Sequence, residues 1–224
     1  MIPRPFLVIP VKPSSGSKQR LATALTDSGR EMVSLSLAVR VISLASQVWP
    51  KGQVVVVSAE PALAPVCARL GVARLPDPGN GQTAAVRSGV CWSLERGGTV
   101  VATVAADLPG LRADDLLEVL QTAHGLAAGS MVVYPDRDGS GTNGVVVRPA
   151  ALLVHSFGPG SQPRHQQIAS CLGLEFRALV VPGLGWDLDR PEDLDPSGDL
   201  DPHPVVTWAL QVSGRTPETV ESDG

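Results

Sequence analysis

Short aliphatic runs alternate with longer helical patterns along this chain, and that alternation restricts the fold more than any other feature. Runs of strand length lie at residues 6–11, 54–58, 99–105, 130–134, 144–147 and 178–181. Helical patterns lie between them at residues 30–48, 61–70, 82–94, 113–126 and 163–172. This order is typical of a parallel sheet covered by helices, whose strands are continuously apolar. We predict a single α/β domain with a mostly parallel sheet flanked by helices, and a ligand site at the carboxyl ends of the strands.

The sequence also marks the ends of helices and of the domain. Gly71 and Gly129 stand where glycine commonly ends a helix. Past residue 195 the chain becomes rich in Asp, Pro and Gly. We therefore predict a folded domain over residues 1–200 and a C-terminal segment over residues 201–224. That segment would contain a short docking helix at residues 205–212 and a disordered tail from residue 213.

Charge and hydropathy exclude several classes of partner. The net charge of −4 argues against a large basic surface for nucleic acid or for an acidic membrane. No apolar run approaches the roughly 20 residues of a membrane span, and the N-terminus lacks the layout of a signal peptide. We expect a cytoplasmic protein that binds neither nucleic acid nor membrane, and a homodimer stays open.

Three cations follow the first predicted strand. Lys12, Lys18 and Arg20 lie in VKPSSGSKQRLA, a Gly- and Ser-containing loop before a helical pattern. Backbone N–H groups and basic side chains in such a loop bind phosphate. The loop is neither a Walker A sequence nor a GxGxxG fingerprint. The alternative is a solvated basic surface loop.

Three aspartates predict a metal site. Asp107 follows the aliphatic run 99–105, at the strand end where an open α/β sheet binds its ligand. Asp187 and Asp189 alternate in GWDLDRPEDL, so both carboxylates of an extended segment face one side. Carboxylates held together favour a divalent cation, and Mg²⁺ prefers oxygen ligands. The alternatives are a turn Asp before Pro109 and an acidic helix start at residues 189–193.

Glycine-rich loops supply further candidate binding residues. Asp77, Asn80 and Gln82 lie in DPGNGQ and offer hydrogen-bonding groups for a nucleobase, although a tight turn explains the same residues. Of two later loops, PDRDGSGTNG predicts a flexible turn rich in small hydrogen-bond donors, and FGPGSQPRH precedes a helix in the layout of an anion site. Ordinary glycine-rich surface loops are the alternative for both. Their basic residues Arg137, Arg164 and His165 are candidates for added positive charge, with a helix-surface position as the alternative for His165.

In their order along the chain, these motifs resemble those of the CofC/FbiD guanylyltransferases of deazaflavin-coenzyme biosynthesis. The resemblance runs from about residue 8 to residue 194 and is carried by VKPSSGSKQRLA, DPGNGQTAAV, AADLPGL, PDRDGSGTNG, FGPGSQPRHQQIA and GWDLDRPEDL. It implies a Rossmann-like nucleotidyltransferase fold of the MobA-like kind. It also implies transfer of GMP from GTP to a small phosphorylated carboxylic acid, with release of pyrophosphate, in coenzyme F-420 biosynthesis. The acceptor is 2-phospho-L-lactate in the archaeal branch and phosphoenolpyruvate in the actinobacterial branch, which the Ala-, Gly-, Pro- and Arg-rich composition favours.

The same resemblance implies a role for each candidate residue. Lys12, Lys18 and Arg20 would bind the GTP phosphates, and the loop of Asp77, Asn80 and Gln82 would face guanine. Thr142, Gly158 and Ser161 would bind the acceptor. Asp107, Asp187 and Asp189 would bind Mg²⁺ as the cofactor. The alternatives are a molybdopterin or sugar-phosphate nucleotidyltransferase, a glycosyltransferase with a DxD motif, and a non-catalytic nucleotide-binding module.

Overall fold

A mixed sheet of seven strands forms the centre of the molecule. The computed structural model describes residues 2–152, 155–194 and 203–213. The strand Thr142–Arg148 is antiparallel to both of its neighbours, Val100–Val104 and Ser130–Pro135, and the other pairings are parallel. The prediction of a mostly parallel α/β sheet is therefore confirmed. Along the chain the strands are β1 (Pro5–Val11), β2 (Val54–Ser58), β3 (Ala73–Leu75), β4 (Val100–Val104), β5 (Ser130–Pro135), β6 (Thr142–Arg148) and β7 (Glu175–Ala178). In the sheet they lie side by side in the order β3-β2-β1-β4-β6-β5-β7.

Five of the strands lie where the aliphatic runs predict them, and the two others lie at the edges of the sheet. The sequence does not predict β3, because its three residues are only partly buried and too short for a period to be visible. The predicted strand at 178–181 is wrong in position, since β7 ends at Ala178. β7 pairs only with β5 and exposes most of its residues, so its sequence EFRA has no aliphatic signature. The apolar residues after it belong to a loop in which Val181 packs into the core.

The predicted helices are confirmed, with small shifts at their ends. α1 begins earlier than predicted because Thr26 caps it, its hydroxyl accepting a hydrogen bond from Gly29 N. Gly71 ends α2 in the left-handed conformation (φ 66°), as predicted. Gly129 does not end α4, which stops at Gly125; Gly129 has φ 79° and donates from its backbone N–H to Arg148 O. The helices are α1 (Asp27–Val48), α2 (Leu63–Leu70), α3 (Gln82–Glu95), α4 (Ala113–Gly125), α5 (Ser161–Cys171), the short α6 (Pro182–Gly185) and α7 (Pro204–Ser213).

Both faces of the sheet are buried, which explains the uninterrupted aliphatic strands. On one face, alternate residues of β1 such as Leu7 and Ile9 pack with apolar residues of α1, α2 and α4. On the other face, Phe6 and Val8 pack with α3. Gly89 allows this close approach of α3, because a Cβ at that position would lie 2.4 Å from Val8 Cγ1. α5 covers the same face over β5 and β6.

α1 is, within the described residues, the one helix long and apolar enough by composition to cross a membrane. This finding differs from the expectation that no apolar run approaches that length. The helix includes Arg30 and Arg40, and it packs Val33, Leu37 and Val41 into the protein interior. α1 thus packs one face against the protein interior.

α7 packs against α1, and it includes residues 205–212, for which the sequence predicts a docking helix. Val205, Val206 and Ala209 form one cluster with apolar residues of α1 and of the segment before it, including Leu37 and Leu21. The predicted tail beyond residue 213 lies outside the described residues, as do residues 195–202 at the predicted domain boundary.

Candidate active site

The topology brings the candidate polar residues to one end of the strands, where the parallel strands β1 and β4 have their carboxyl ends. Lys12 follows the last residue of β1, and Asp107 follows β4. Because β6 runs in the opposite direction, its first residues Thr142 and Asn143 lie beside the carboxyl end of β4. There the backbone N–H of Ala105 donates to Asn143 O at 2.8 Å. Ligands of α/β sheets bind at the carboxyl ends of parallel strands. The reversed strand adds residues from its amino end.

Asp107, Asp187 and Asp189 form what we call the acidic corner. The backbone N–H of Leu188 donates to the carbonyl of Asp107 at 3.1 Å, so the segment 187–189 runs beside the residue that follows β4. Leu188 is fully buried in an apolar cluster, whereas the two aspartates on either side of it are only partly buried. Alternate residues of an extended segment face the same way, as the DLD pattern predicts.

Lys18 reaches into the acidic corner with its ammonium group. Lys18 is the one non-glycine residue with positive φ (53°) in the described part of the chain. Its Nζ forms ion pairs with Asp107 Oδ2 and, at 3.0 Å, with Asp189 Oδ1, and its side chain is only 7% exposed. Burial works to lower the pKa of Lys18, but the charges of the two aspartates outweigh burial, and the net pKa is raised. Lys18 is therefore a charged, buried counter-ion of the acidic corner.

The pKa values of Asp187 and Asp189 move in opposite directions. Burial, followed by the charge of Asp107, raises the pKa of Asp187 to about 6. Burial also acts to raise the pKa of Asp189, but its ion pair with Lys18 outweighs that effect and the net pKa is lowered. Asp187 contacts Asn143 instead, whose Nδ2 donates to its Oδ1 at 3.2 Å and to Leu184 O at 2.9 Å. The two carboxylates therefore have different partners and different affinities for a proton.

The chemistry of the acidic corner suits a hard divalent cation. Its donors are carboxylate oxygens, which Mg²⁺ prefers, and a cation would relieve the repulsion that raises the pKa of Asp187. The ammonium of Lys18, however, lies between Asp107 and Asp189. As the side chains of the described residues stand, no group of three His, Cys, Asp or Glu could hold a metal ion. These oxygen donors are of the kind that magnesium prefers, and binding of the ion there would require Lys18 to move away from the carboxylates.

Two cavities open on either side of the acidic corner. A cavity of about 340 Å³ lies against the basic loop and is lined by Gly16, Ser17 and Lys18. A cavity of about 610 Å³ lies between the loop after β5, the start of α5 and the 187–193 segment. The residues that line both cavities are Lys12, Arg20, Gln82, Ala105, Asp107 and Asp189. Two ligands, one in each cavity, would meet at the acidic corner.

The two other cations of the basic loop remain accessible. Arg20 is 60% exposed and its Nη1 lies 4.0 Å from Asp189 Oδ2. Lys12 is exposed, and its charge contributes to the lowered pKa of Asp189. Both residues line both cavities, so the structure brings all three predicted cations to the site, in two different settings.

The predicted nucleobase loop is only partly at the site. Gln82, the first residue of α3, lines both cavities. Asp77 and Asn80 line neither of them. One carboxylate oxygen of Asp77 accepts a hydrogen bond from Gly79 N at 2.9 Å, which is the tight-turn arrangement that the sequence left as the alternative.

All three candidate acceptor residues line the larger cavity. Thr142 and Ser161 are buried, at the first positions of β6 and α5. Gly158 has φ 105°, which favours glycine, and Gly160 caps α5 in the left-handed conformation (φ 68°). The start of α5 therefore faces the cavity with its N-terminal end.

Arg164 and His165 do not add free positive charge to this loop. The Arg164 guanidinium donates to Ser156 Oγ and to the carbonyls of Phe157, Gly158 and Pro159, so it holds the loop together. His165 is fully buried, and burial lowers its pKa to about 4, so it is neutral at pH 7. The helix-surface alternative for His165 is wrong as well, because its ring is fully buried in the protein interior.

Sequence reasoning missed the residue that organises the end of the acidic corner. Asp193 accepts hydrogen bonds from the backbone N–H groups of Asp189 (2.8 Å) and Arg190 (2.6 Å), and it forms an ion pair with Arg137. The Arg137 backbone N–H also donates to Gly185 O at 2.7 Å. The signal was present in the sequence, since an acidic residue three or four positions into a Pro-initiated turn can reach back to the N–H groups at its start.

A sheet of this order, with a basic loop after β1 and an acidic corner after β4, has the fold of nucleotidyltransferases. The chain is similar to a cytidylyltransferase from Leptospira borgpetersenii, with a TM-score of 0.56 and 10% identity over 97% of this chain and all of that one (100%). It is similar to 4-diphosphocytidyl-2C-methyl-D-erythritol synthase, with a TM-score of 0.58 and 15% identity over 85% of this chain and 95% of that one. At these identities the likeness shows the fold.

The sequence comparisons identify the family within that class. The family described as guanylyl transferase CofC like matches residues 6–196, and the chain belongs to it. The chain is 37% identical to the phosphoenolpyruvate guanylyltransferase of Rubrobacter xylanophilus over 190 residues, which are 84% of this chain and 91% of that protein. It is 36% identical to the protein of that name from Sphaerobacter thermophilus over 207 residues, 92% of this chain and 97% of that protein.

Proposed function

We propose that this chain transfers GMP from GTP to phosphoenolpyruvate and releases pyrophosphate, in the biosynthesis of coenzyme F-420. The proposal is supported by membership of the CofC-like family and by relatives named phosphoenolpyruvate guanylyltransferase that align over most of their length. 2-Phospho-L-lactate is the second acceptor to test, because it also carries a phosphate next to a carboxylate.

The observation that carries the proposal is the pair of cavities that share two cations, Lys12 and Arg20, and two aspartates of the acidic corner, Asp107 and Asp189. Transfer of a nucleotidyl group requires the acceptor to approach the α-phosphorus of the nucleotide in line, with both substrates held. The cavity against the basic loop would take GTP. The larger cavity would take the acceptor.

The reaction requires little of the protein beyond position and charge. An oxygen of the acceptor phosphate forms a bond to the α-phosphorus of GTP, and the bond from that phosphorus to the bridging oxygen of pyrophosphate breaks. The attacking oxygen is already anionic at neutral pH, so no side chain has to remove a proton. Rate enhancement then comes from orientation and from stabilisation of the developing negative charge.

The cations of the basic loop would divide this task. Lys12 and Arg20 are exposed to both cavities and would neutralise phosphate oxygens of GTP. Lys18 would balance the acidic corner until the corner has another counter-ion. We propose that Asp107, Asp187 and Asp189 hold Mg²⁺ when substrates bind, where the ion would stabilise charge on the phosphates.

The remaining candidate residues would orient the two substrates. Thr142 and Ser161 would donate hydrogen bonds to the acceptor, and Gly158 leaves room for it beside the N-terminal end of α5. Gln82 lies where nucleotide and acceptor would meet. Contacts of Asp77 and Asn80 with guanine remain a proposal that requires the DPGNGQ loop to approach the nucleotide. We also propose a cytoplasmic location, where GTP and the acceptor are available.

The test is pyrophosphate release by purified protein supplied with GTP, Mg²⁺ and one acceptor at a time. We expect release with phosphoenolpyruvate, and a loss of about a hundredfold or more in kcat/KM for Asp107→Asn, since an electrostatic group at the reacting centre is removed. Asp114→Asn is the matched control, because Asp114 is exposed in the first turn of α4. Equal activity of Asp107→Asn and the control would remove Asp107 from the site.

The acceptor panel also separates the alternatives. Release only with 2-phospho-L-lactate or 3-phosphoglycerate would correct the acceptor, and release only with a sugar phosphate would assign another nucleotidyltransferase. Tight GTP binding without release with any acceptor would indicate a non-catalytic module. Absence of release with both phosphoenolpyruvate and 2-phospho-L-lactate, from protein shown to be folded, would refute the proposal.

A further inference from the structure

His165 lies behind the wall of the larger cavity, and each of its ring nitrogens is within hydrogen-bond distance of a polar atom. Nε2 is 3.0 Å from the backbone N of Ser156, and Nδ1 is 3.2 Å from the hydroxyl oxygen of Thr142. The ring is fully buried and packs edge-on against Phe157, with the ring centroids 5.6 Å apart. Phe157 and Thr142 both line the larger cavity, whereas His165 does not. His165 therefore touches the wall of the cavity from inside the protein.

These contacts determine which nitrogen of the ring holds the proton. A backbone N–H is only a donor, so Nε2, which faces Ser156 N, must be the acceptor and carries no hydrogen. Burial of the ring is the main reason that its pKa falls to about 4, so the ring is neutral and holds one proton. That proton is on Nδ1.

The position of that proton fixes the role of the Thr142 hydroxyl. Since Nδ1 carries a hydrogen, it cannot accept one from Thr142, so Thr142 Oγ1 is the acceptor in this contact. Within the described residues, the Thr142 hydroxyl has no other hydrogen-bond partner. Its own proton is therefore available to a ligand in the larger cavity. Anionic oxygens of a phosphate or carboxylate accept such a bond.

We infer that His165 is a positioning residue, which keeps its proton on Nδ1 and so makes the Thr142 hydroxyl a hydrogen-bond donor to an oxyanion of the acceptor. The identity of the acceptor rests on the proposed function. If the opposite tautomer were present, the Thr142 hydroxyl would donate to His165 and turn its lone pairs toward the cavity. An oxyanion of the substrate would then face the lone pairs of the Thr142 oxygen and be repelled.

The first experiment measures the tautomer and needs no turnover. A long-range ¹H–¹⁵N correlation spectrum of the labelled protein at pH 7 distinguishes Nδ1–H, Nε2–H and charged imidazoles, and loss of one set of signals in His165→Gln assigns the residue. We expect a neutral Nδ1–H ring. An Nε2–H or a charged ring would overturn the inference and leave the proposed function intact.

The second experiment separates this role from a purely structural one. We expect Thr142→Val and His165→Gln each to raise the KM for phosphoenolpyruvate about tenfold, with the KM for GTP nearly unchanged, because one hydrogen bond to a charged oxygen is lost. Thr142→Val should add little in the His165→Gln background, since the bond is already impaired. Thr142→Ser, which keeps the hydroxyl, should retain most of the affinity.

Arg164→Gln is the matched control for these variants. Arg164 holds the same loop through Ser156, Phe157 and Gly158, but the contacts seen for it do not include Thr142. Thr142→Val should therefore keep its full effect in the Arg164→Gln background. Full additivity in the His165→Gln background, or an equal rise in the KM for GTP, would overturn the inference. Absence of pyrophosphate release by the wild type would instead refute the proposed function.

Discussion

Replacement of Asp193 tests how the acidic corner is held in place. The Asp193 side chain is 6% exposed and accepts hydrogen bonds from the backbone N–H groups of Asp189 and Arg190, at 2.8 Å and 2.6 Å. Hydrogen bonds to a charged group contribute about 1.5–3 kcal/mol each. Asp189 is partly exposed and Arg190 is exposed, so water would replace part of the lost bonding. We therefore expect Asp193→Ala to lower the free energy of unfolding by about 2–4 kcal/mol.

Two matched variants divide that effect between the backbone bonds and the ion pair with Arg137. Arg137→Met removes only the ion pair, and because Arg137 is 39% exposed we expect a cost of about 1 kcal/mol or less. Asp193→Asn keeps one oxygen for the backbone N–H groups and should cost about 1–2 kcal/mol. The expected order of destabilisation is Asp193→Ala, then Asp193→Asn, then Arg137→Met.

Urea unfolding followed by circular dichroism measures these costs, and steady-state kinetics measures their effect on the site. Since the backbone of Asp189 loses its anchor, kcat/KM should fall more in Asp193→Ala than in Arg137→Met. A cost for Arg137→Met equal to that of Asp193→Ala would refute the argument that the backbone bonds dominate. So would a cost below about 1 kcal/mol for Asp193→Ala.

Three further changes test the surroundings of the site. Lys18→Met leaves the acidic corner without its buried counter-ion. The rise in Tm on going from chelator to Mg²⁺ should therefore be larger for Lys18→Met than for the wild type. An equal or smaller rise would contradict the role of Lys18 as the counter-ion. Gly183→Ala should cost about 1–3 kcal/mol in urea unfolding, because its Cβ would lie 2.0 Å from Asp115 Oδ2 and 2.9 Å from the backbone oxygen of Gly110, which cannot rotate away. A Cβ at Gly185 in the same short helix would have Arg137 N at 3.9 Å as its nearest neighbour, so Gly185→Ala should be nearly neutral. Burial lowers the pKa of His155 from 6.5 to about 3, so the unfolded chain takes up a proton that the folded state resists, and stability is lost as the pH falls below 6.5. His155→Leu should remove this loss, and its stability relative to the wild type should be about 1–2 kcal/mol higher at pH 5 than at pH 7.5; equal differences at the two pH values would refute it.

The interior of the sheet could be predicted from the sequence and its edges could not. Strands such as β2 and β4 are buried on both faces, and burial on both faces requires the continuous aliphatic runs that are visible in the sequence. β7 is covered on fewer sides, so its residues need not be apolar, and the nearest aliphatic run lies beyond it. The aliphatic runs indicate which residues are buried, but they carry no information on strand direction. The reversal of β6 therefore could not be predicted from them.

The site shows the same division between what position determines and what side-chain contacts determine. Lys12 and Asp107 were predictable as neighbours because both follow strands that end at the same edge. The contact between Thr142 and His165 was not predictable, because it depends on the reversal of β6 and on the side of α5 that faces the sheet. The left-handed backbone at Lys18 was not predictable either, since only glycine and a few polar residues adopt it routinely.

The position of Lys18 makes the two aspartates of the DLD pattern chemically different. The sequence treats Asp187 and Asp189 as an equivalent pair facing one cation. In the structure, Asp189 faces Lys18 and stays ionised at a lower pH, whereas Asp187 faces the neutral amide of Asn143 and feels the charge of Asp107. The single ammonium of Lys18 thus forms ion pairs with Asp107 and Asp189, whereas its charge acts on Asp187 more weakly than burial and the charge of Asp107 do. If Mg²⁺ binds here as we propose, it would take the place of Lys18 beside Asp107 and Asp189, and its second positive charge would also attract Asp187.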